Sequence, residues 1–397
     1  MSDYLLTPEL AELRGRVRAF VESHIIPAEQ AIVDEDLAGH GETLKSLQKL
    51  ARDEGLWTPH LPVEVGGLGL GIMGMCALFR EMGRSLVGAK VFNCDAPDQG
   101  NMDLLLSTAS AAARERWLRP LIDAQITSAF CMTEPAPGAG SDPSNLRTRA
   151  TQDADGVWRI NGHKWYSTGG SDASFLIVMA RTSDDRRRGA SMFLVDRHAD
   201  GIDHLRNIPV MAPDLLAHKE AEFTFTDVAA AEVLGNIGDG FMLAQKRLVP
   251  ARLTHCMRWL GLADRTLNMC RAYIGERMSF GQVLARHQMT QLKIATNARD
   301  IHAGNLMTLH CAQMLEQGLG KQARPYSSMC KDHVANTLLR TLDDAIQMHG
   351  GLGYSQDKPF GTWYRFCRSA RLADGPDEVH RMVVARDFLM GRLDLLV

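Results

Sequence analysis

Near the C-terminal end of this 397-residue chain stands the stretch RLADGPDEVHR, Arg371 to Arg381. Asp374 is followed by Gly375 and Pro376, and then an amphipathic run begins. Asp before Gly-Pro is a common entry into a helix, with Pro376 suited to the first helical position. A carboxylate in the same place can serve as a general base. The local sequence leaves both roles open. Two other stretches have the residue types to face a ligand. FCMTEPAPGAGSD, Phe130 to Asp142, combines glycines with small hydroxyls, which let backbone N–H groups approach an anionic or planar group. GHKWYST, Gly162 to Thr168, sets hydroxyls beside aromatics, a composition that suits one wall of a ring-binding site or an ordinary core. A locally spaced zinc site is not expected: there is no CxxC or HExxH, and the nearest of the eight cysteines, Cys256 and Cys270, stand 14 positions apart.

The elements that must position these residues fall into three textures. A length of 397 residues suggests two or three domains. With 45% apolar and 23% charged residues and a formal charge of -3, nothing points to nucleic acid or an anionic membrane as partner. The start, MSDYLLTPEL, lacks the order of a secretory signal, and no apolar run reaches membrane-spanning length, so a cytoplasmic protein without membrane insertion is expected. Up to Leu121 the periodicity is helical, as in Leu10, Leu13, Val17 and Val21, with Pro27 expected to end that helix. Gly69, Gly71 and Gly74 match the spacing GxGxxG, but Pro59 and Pro62 argue against the strand that motif requires, so a loop before a helix is expected. Strand-like runs begin near Phe130, and Asp155-Gly156 and Asn161-Gly162 bracket VWRI as a hairpin signal. Arg186 to Arg188 read as a solvated loop between strands. After Gly240 four long helical segments follow, the first kinked or started by Pro250, the last running from Pro376. The expected architecture is α+β multidomain: helices over 1–128, a β domain over 129–240 and a four-helix bundle over 241–397.

Several ordered segments together carry a resemblance. Thr133-Glu134-Pro135 with Gly140-Ser141-Asp142, the GxKxxxT pattern from Gly162 to Thr168, LGNIGDGF, ERMSFGQ followed by His287-Gln288, and IQMHGGLGY resemble the acyl-CoA dehydrogenase family along almost the whole chain. VFNCDAPDQGNM, ARLTHCMRWLGLADR and LADGPDEVH resemble its ten/eleven branch, whose animal members carry a kinase-like module that this chain, read as the dehydrogenase part alone, does not include. The resemblance implies an N-terminal helical domain, a central β-barrel and a C-terminal four-helix bundle, with FAD between the last two. It implies that Phe130, Met132 and Thr133 border the flavin, with Tyr166 and Thr168 on its other wall, and that Gly140 and Ser141 approach the FAD phosphates or the thioester ligand. Arg277, Ser279, Phe280 and Gln288, with Gln347, Gly350 and Gly351, match residues that reach the FAD of a neighbouring subunit, which implies a homo-oligomer, a tetramer in the family's usual form. Pro376 and Glu378 stand near FAD where threonine and glutamine are usual, and Tyr166 replaces a tryptophan. Arg252, Asp374, Gly375 and Ser141 match the substrate side.

Asp374 matches the family's catalytic base, usually a glutamate one methylene longer. Such a base removes the proton beside the thioester carbonyl, and the neighbouring carbon gives hydride to the flavin. Some members carry the base immediately before the residue matching Arg252; here that residue is Ala251, which accepts no proton. An apolar pocket would raise the Asp374 pKa, and the following helix N-terminus would lower it. The implied activity is an FAD-dependent acyl-CoA dehydrogenase forming a trans-2-enoyl-CoA and passing electrons to electron-transfer flavoprotein. The alternatives are an oxygen-using relative on the same fold (an acyl-CoA oxidase, nitroalkane oxidase or flavin monooxygenase) and a non-catalytic oligomer.

Overall fold

Thr7 caps the first helix by accepting the Leu10 N–H at 3.3 Å, and the chain then stays helical well past the expected stop. A computed structural model describes residues 6–185, 188–212 and 219–395. Helix α1 (Pro8–Phe20) passes through a π-helical turn, Val21–Ile25, into α2 (Ile26–Leu37). Pro27 therefore does not end the helix: it sits in the first turn of α2, and the wider turn before it absorbs its missing N–H. Then come α3 (Glu42–Asp53), α4 (Ile72–Met82), α5 (Gly88–Val91), α6 (Asp98–Thr108), α7 (Ala111–Ala113) and α8 (Arg119–Ile122). The Gly69–Gly74 stretch leads into α4 from a short 3-10 turn, Val63–Val65, and no strand precedes it among the described residues.

Eight strands follow: β1 (Ser128–Cys131), β2 (Arg149–Gln152), β3 (Trp158–Thr168), β4 (Phe175–Arg181), β5 (Ala190–Asp196), β6 (Ile202–Asn207), β7 (Glu220–Ala229) and β8 (Glu232–Leu234). They form one mixed sheet in the order β6-β7-β3-β2-β4-β5-β8, with β1 parallel to β4. Instead of a closed barrel this is an open sheet, since β6 and β8 at its two ends do not pair among the described residues. The apolar run FLIVMA in β4 is buried at the middle of the sheet, whereas IDHLRN in β6 is largely exposed, as an edge strand can be. Asp155-Gly156 does turn the β2–β3 hairpin. Asn161-Gly162 does not turn the chain but lies inside β3, at a register shift against β7. The glycine is needed there because a Cβ would come within 2.6 Å of Thr148. Arg188 pairs with Asp239 at 3.4 Å, while Arg186 and Arg187 lie outside the described residues.

The remaining chain is helical. It comprises α9 (Gly240–Glu276), a small hairpin of β9 (Met278–Ser279) and β10 (Gln282–Val283), α10 (Gln288–Glu316), α11 (Gly320–His349), α12 (Gly351–Tyr354), α13 (Phe360–Cys367) and α14 (Asp377–Leu389). Pro250 neither starts nor stops α9, which begins ten residues earlier. One apolar core joins α1 and α4 to the bundle, from Val17 and Phe20 through Phe79 to Leu260 and Leu338. Helices α4 and α9 cross backbone to backbone: a Cβ on Gly83 would meet the Arg258 Cα at 2.2 Å, and one on Gly261 the Arg80 carbonyl at 2.0 Å. That crossing fixes the height of Arg258 and its neighbours on α9. All eight cysteines are buried and free.

Candidate active site

Asp374 lies in the turn between a 3-10 segment, Arg368–Arg371, and α14, with a left-handed backbone at φ +54°. Asp and Asn tolerate that region better than most residues. Gly375 continues the turn at φ +102°, and Pro376 takes the position just before the helix instead of the first helical position. Three side chains from three helices hold this turn by its carbonyls. Arg252 of α9 donates its Nε–H to the Asp374 oxygen at 3.1 Å, and His380 of α14 donates Nε2–H to the same oxygen at 3.2 Å. Lys331 of α11, wholly buried, donates to the Gly375 oxygen at 2.7 Å. Asp377, at the first position of α14, accepts from Arg371 at 2.6 Å and lies 3.8 Å from the Lys331 ammonium.

The Asp374 carboxyl is 21% exposed and faces cations. Burial pushes its pKa up, but His255, Arg252, Arg247 and Lys331 outweigh burial and leave it below the ordinary carboxylate value. An imidazolium at His255 would add to that pull, but burial and the Arg258 guanidinium push the His255 pKa down to about 4. Arg258 can only donate, so His255 Nδ1, 3.0 Å from it, must accept. We therefore take His255 as neutral near pH 7, and the guanidinium and ammonium charges as what keeps Asp374 ionised. The opposition foreseen between an apolar pocket and a helix terminus is thus decided by side chains that Asp374's own segment does not contain.

Met132, Thr133 and Tyr166 come together on the sheet, with Thr168 farther along β3. The Trp165 N–H donates to the Thr133 oxygen at 3.1 Å, tying the TEP segment to β3. Lys164 reinforces that tie through the Met132 oxygen at 3.0 Å and the Glu134 carboxylate at 2.8 Å, both ends of the ion pair being buried. Glu134 also accepts the backbone N–H groups of Arg147 and Thr148, at 2.7 and 2.9 Å. Between Trp165 and Ser167, Tyr166 sits at a register shift with φ +50° and is 44% exposed. Thr168 donates to Glu220 at 2.9 Å. Phe130 lies under the Arg247 guanidinium, 4.4 Å from its carbon to the ring centre, which links this wall to α9 and so to Asp374. Gly140 and Ser141 are exposed, Gly140 at φ +46° with open space around it.

The rest of the expected site is elsewhere. Arg277 ends α9 25 residues beyond Arg252, roughly 37 Å along a helix that rises about 1.5 Å per residue. Ser279, Phe280 and Gln288 follow it, and Phe280 is 97% exposed at φ +48°. Gln347, Gly350 and Gly351 join them at that end of the bundle, because the Tyr273 ring of α9 stacks on His349 of α11 with centres 4.3 Å apart. Glu378 is exposed in the first turn of α14. Within one chain, then, Arg277 and Asp374 belong to different ends.

A flavin fits the sheet wall on one observation of this structure: the indole N–H of Trp165, whose backbone N–H is tied to Thr133, is buried and has no partner among the described residues. Such a donor calls for an acceptor that the chain does not supply. Sequence reasoning missed Arg247, His255, Lys331 and His380. For His255 a signal existed, since positions 252 and 255 share a helix face.

Most of the chain matches family models: the acyl-CoA dehydrogenase N-terminal domain over residues 7–125, its middle domain over 129–228 and its C-terminal domain over 238–389. It is 36% identical to "Probable acyl-CoA dehydrogenase FadE2" of Mycobacterium tuberculosis, covering 97% of this chain and 96% of that protein. It is 34% identical to mouse acyl-CoA dehydrogenase family member 11 over 94% of this chain, and spans about half (50%) of that longer relative. A solved acyl-CoA dehydrogenase structure from Mycobacterium abscessus superposes with a TM-score of 0.91 at 36% identity, covering 97% and 99% of the two chains. Butyryl-CoA dehydrogenase from Megasphaera elsdenii shares the fold, with a TM-score of 0.82 at 24% identity over 97% and 99%. No described helix is long and apolar enough to cross a membrane. With three domain models in order and a full-length relative above a third identity, the chain belongs to the acyl-CoA dehydrogenase family.

Proposed function

We propose that the protein is an FAD-dependent acyl-CoA dehydrogenase in which Asp374 is the catalytic base. The observation that carries this is the ionised Asp374 carboxylate, held in a fixed turn by Arg252, His380 and Lys331 and linked through Arg247 to the Phe130 wall. The functional division is 1–128, 129–240 and 241–397, with FAD between the last two. Phe130, Met132, Thr133, Tyr166 and Thr168 would hold its ring side, Gly140 and Ser141 the phosphates or thioester, and Pro376 and Glu378 the edge near α14.

When bound, FAD supplies the acceptor for the hydride leaving the carbon two places from the thioester carbonyl. The chain's own part is acid–base and positional. Asp374 takes the proton from the carbon next to the carbonyl, and the surrounding cations keep its carboxyl ionised, the form a base must have. Negative charge then grows on the thioester oxygen. No acceptor takes the Asp374 backbone N–H among the described residues, so it is free to donate to that oxygen. Arg247, Arg252 and Lys331 place positive charge around the same point, lowering the cost of the enolate-like state.

Arg277, Ser279, Phe280, Gln288, Gln347, Gly350 and Gly351 would serve the FAD of a neighbouring subunit, which makes the working form a homo-oligomer, a tetramer in our reading. Electron-transfer flavoprotein is the proposed acceptor. The test is the visible spectrum of the purified protein followed by anaerobic addition of acyl-CoAs of graded length and branching. Bleaching of a yellow protein by one class of thioester supports the reading. A yellow protein that none bleaches, or a colourless protein that takes up no FAD, sinks it.

A further inference from the structure

Three distant segments, VFNCDAPDQGNM, ARLTHCMRWLGLADR and LADGPDEVH, meet side chain to side chain. Asp95 from the first binds Arg258 from the second. Arg258 Nη2 lies 3.0 Å from His255 Nδ1, and His255 Nε2 lies 3.4 Å from the Asp374 carboxylate of the third. A guanidinium only donates, so His255 Nδ1 accepts and the ring proton sits on Nε2, the nitrogen nearer Asp374. The contact is long for an N–H···O bond, as those that tighten around a substrate often are. Asp95 is anchored in turn by the Ala96 N–H at 2.9 Å, and the Gly83–Arg258 approach fixes the Arg258 backbone. The His255 ring also packs on Trp259, centres 5.5 Å apart.

Resting on the reading of Asp374 as base, we propose that His255 is a positioning residue: held as the Nε2–H tautomer by Arg258 and Asp95, it grips one oxygen of the Asp374 carboxylate and leaves the other for the substrate proton. An aspartate reaches less far than a glutamate, so its rotamer must be fixed if the proton-accepting oxygen is to lie within about 3 Å of the reacting carbon's hydrogen. Arg252 and His380 bind the backbone carbonyl of Asp374 and not its carboxyl, so they cannot set that rotamer. The neutral state of His255 fits this role, since burial and Arg258 keep its pKa near 4 and a proton does not pass to it from Asp374 at neutral pH. The other charged or titratable groups facing the pair are Arg247 and Arg252 on α9, Lys331 on α11 and His380 on α14.

The test is the rate of anaerobic flavin reduction by a saturating acyl-CoA, across pH, in His255→Met, His255→Gln and Asp374→Asn. Met removes the donor, while Gln keeps an N–H at similar reach. His255→Met should slow reduction roughly 10- to 100-fold, the cost of a misplaced reacting group, with KM little changed. Its acid limb should move to higher pH, because a carboxylate that loses a donor holds its proton more tightly. His255→Gln should recover most of both. An unchanged rate and acid limb in His255→Met, or a Gln variant as impaired as Met, would overturn the proposal. If His255→Met does not accumulate as folded flavoprotein, His255→Phe, which fills the ring's place without a donor, is read instead. Asp374→Asn separates the two claims. Retained reduction there removes the base assignment itself, whereas its loss alongside an unaffected His255→Met removes only His255.

Discussion

The two ends of α9 contrast sharply. Around Arg252 the helix is crowded: Asp374 is surrounded by cations, its turn is pinned by three donors, and the carboxyl is only 21% exposed. Around Arg277 the helix ends in a tight hairpin with Phe280 97% exposed and, nearby, Tyr354 88% exposed. Both exposed aromatics belong to this end of the bundle, where the Tyr273–His349 stack brings the ends of α9 and α11 together. On the proposed function, one chain finishes the end that handles the proton and leaves the other end to a partner. In the proposed enzyme that partner is a second copy with its FAD, so catalysis and assembly are separable along a single helix.

That separation can be broken most forcefully at the crowded end. Asp374→Asn should bind FAD and acyl-CoA yet lose flavin reduction by roughly 10²- to 10⁴-fold, as stopped-flow spectra would register. Substantial remaining reduction would place the base elsewhere. At the open end, Phe280→Asp should weaken subunit association by about 30-fold or more, the effect of losing an aromatic anchor, and lower the FAD content. Light scattering combined with flavin absorbance measures both, and an intact oligomer with full flavin would erase the contrast. Gly375→Ala should cost about 1–3 kcal/mol, because φ is +102° and the new Cβ would stand 3.0 Å from His380 Nε2. Calorimetry would reveal it, and an unchanged Tm would mean the turn is looser than its geometry.

The smallest expected effect concerns pH. His255 has a folded pKa of about 4 against an ordinary 6.5, so between those values the unfolded chain binds more protons than the folded one. Folding stability from this group is therefore full above 6.5 and lost as pH falls toward 4. Asp98, pushed up by burial to about 6, tilts the opposite way, so the effect must be read as a difference between proteins. Wild type should lose stability relative to His255→Gln over that window, by a few degrees in Tm. A constant difference would mean that His255 titrates normally in the folded state.

Much of this arrangement was legible in the sequence, for reasons local to each stretch. Apolar periodicity located the long helices and FLIVMA the central strand, since those signals rest on a residue's immediate neighbours. Asn161-Gly162 misled because its glycine answers to Thr148 across the sheet and not to a turn. Pro27 misled because a π turn tolerates what an isolated helix would not. At the site, Asp374, Arg252 and Gly375 were visible as a motif. Lys331 and His255 were not, because their roles depend on which helix faces which, and that is settled by contacts such as Gly83 on Arg258.

The left-handed turn at Asp374 also limits the routes by which this sequence can change. Among side chains that carry a carboxylate, aspartate is the one that tolerates such a backbone most readily. A single substitution to the family's more usual glutamate would lengthen the acid while straining its own main chain and pressing toward His255. Accommodating the longer acid would call for a second change, in the turn or on α9. If Asp374 is the base, as proposed, the shorter acid is thus less an interchangeable variant than a commitment shared among three distant segments of the gene.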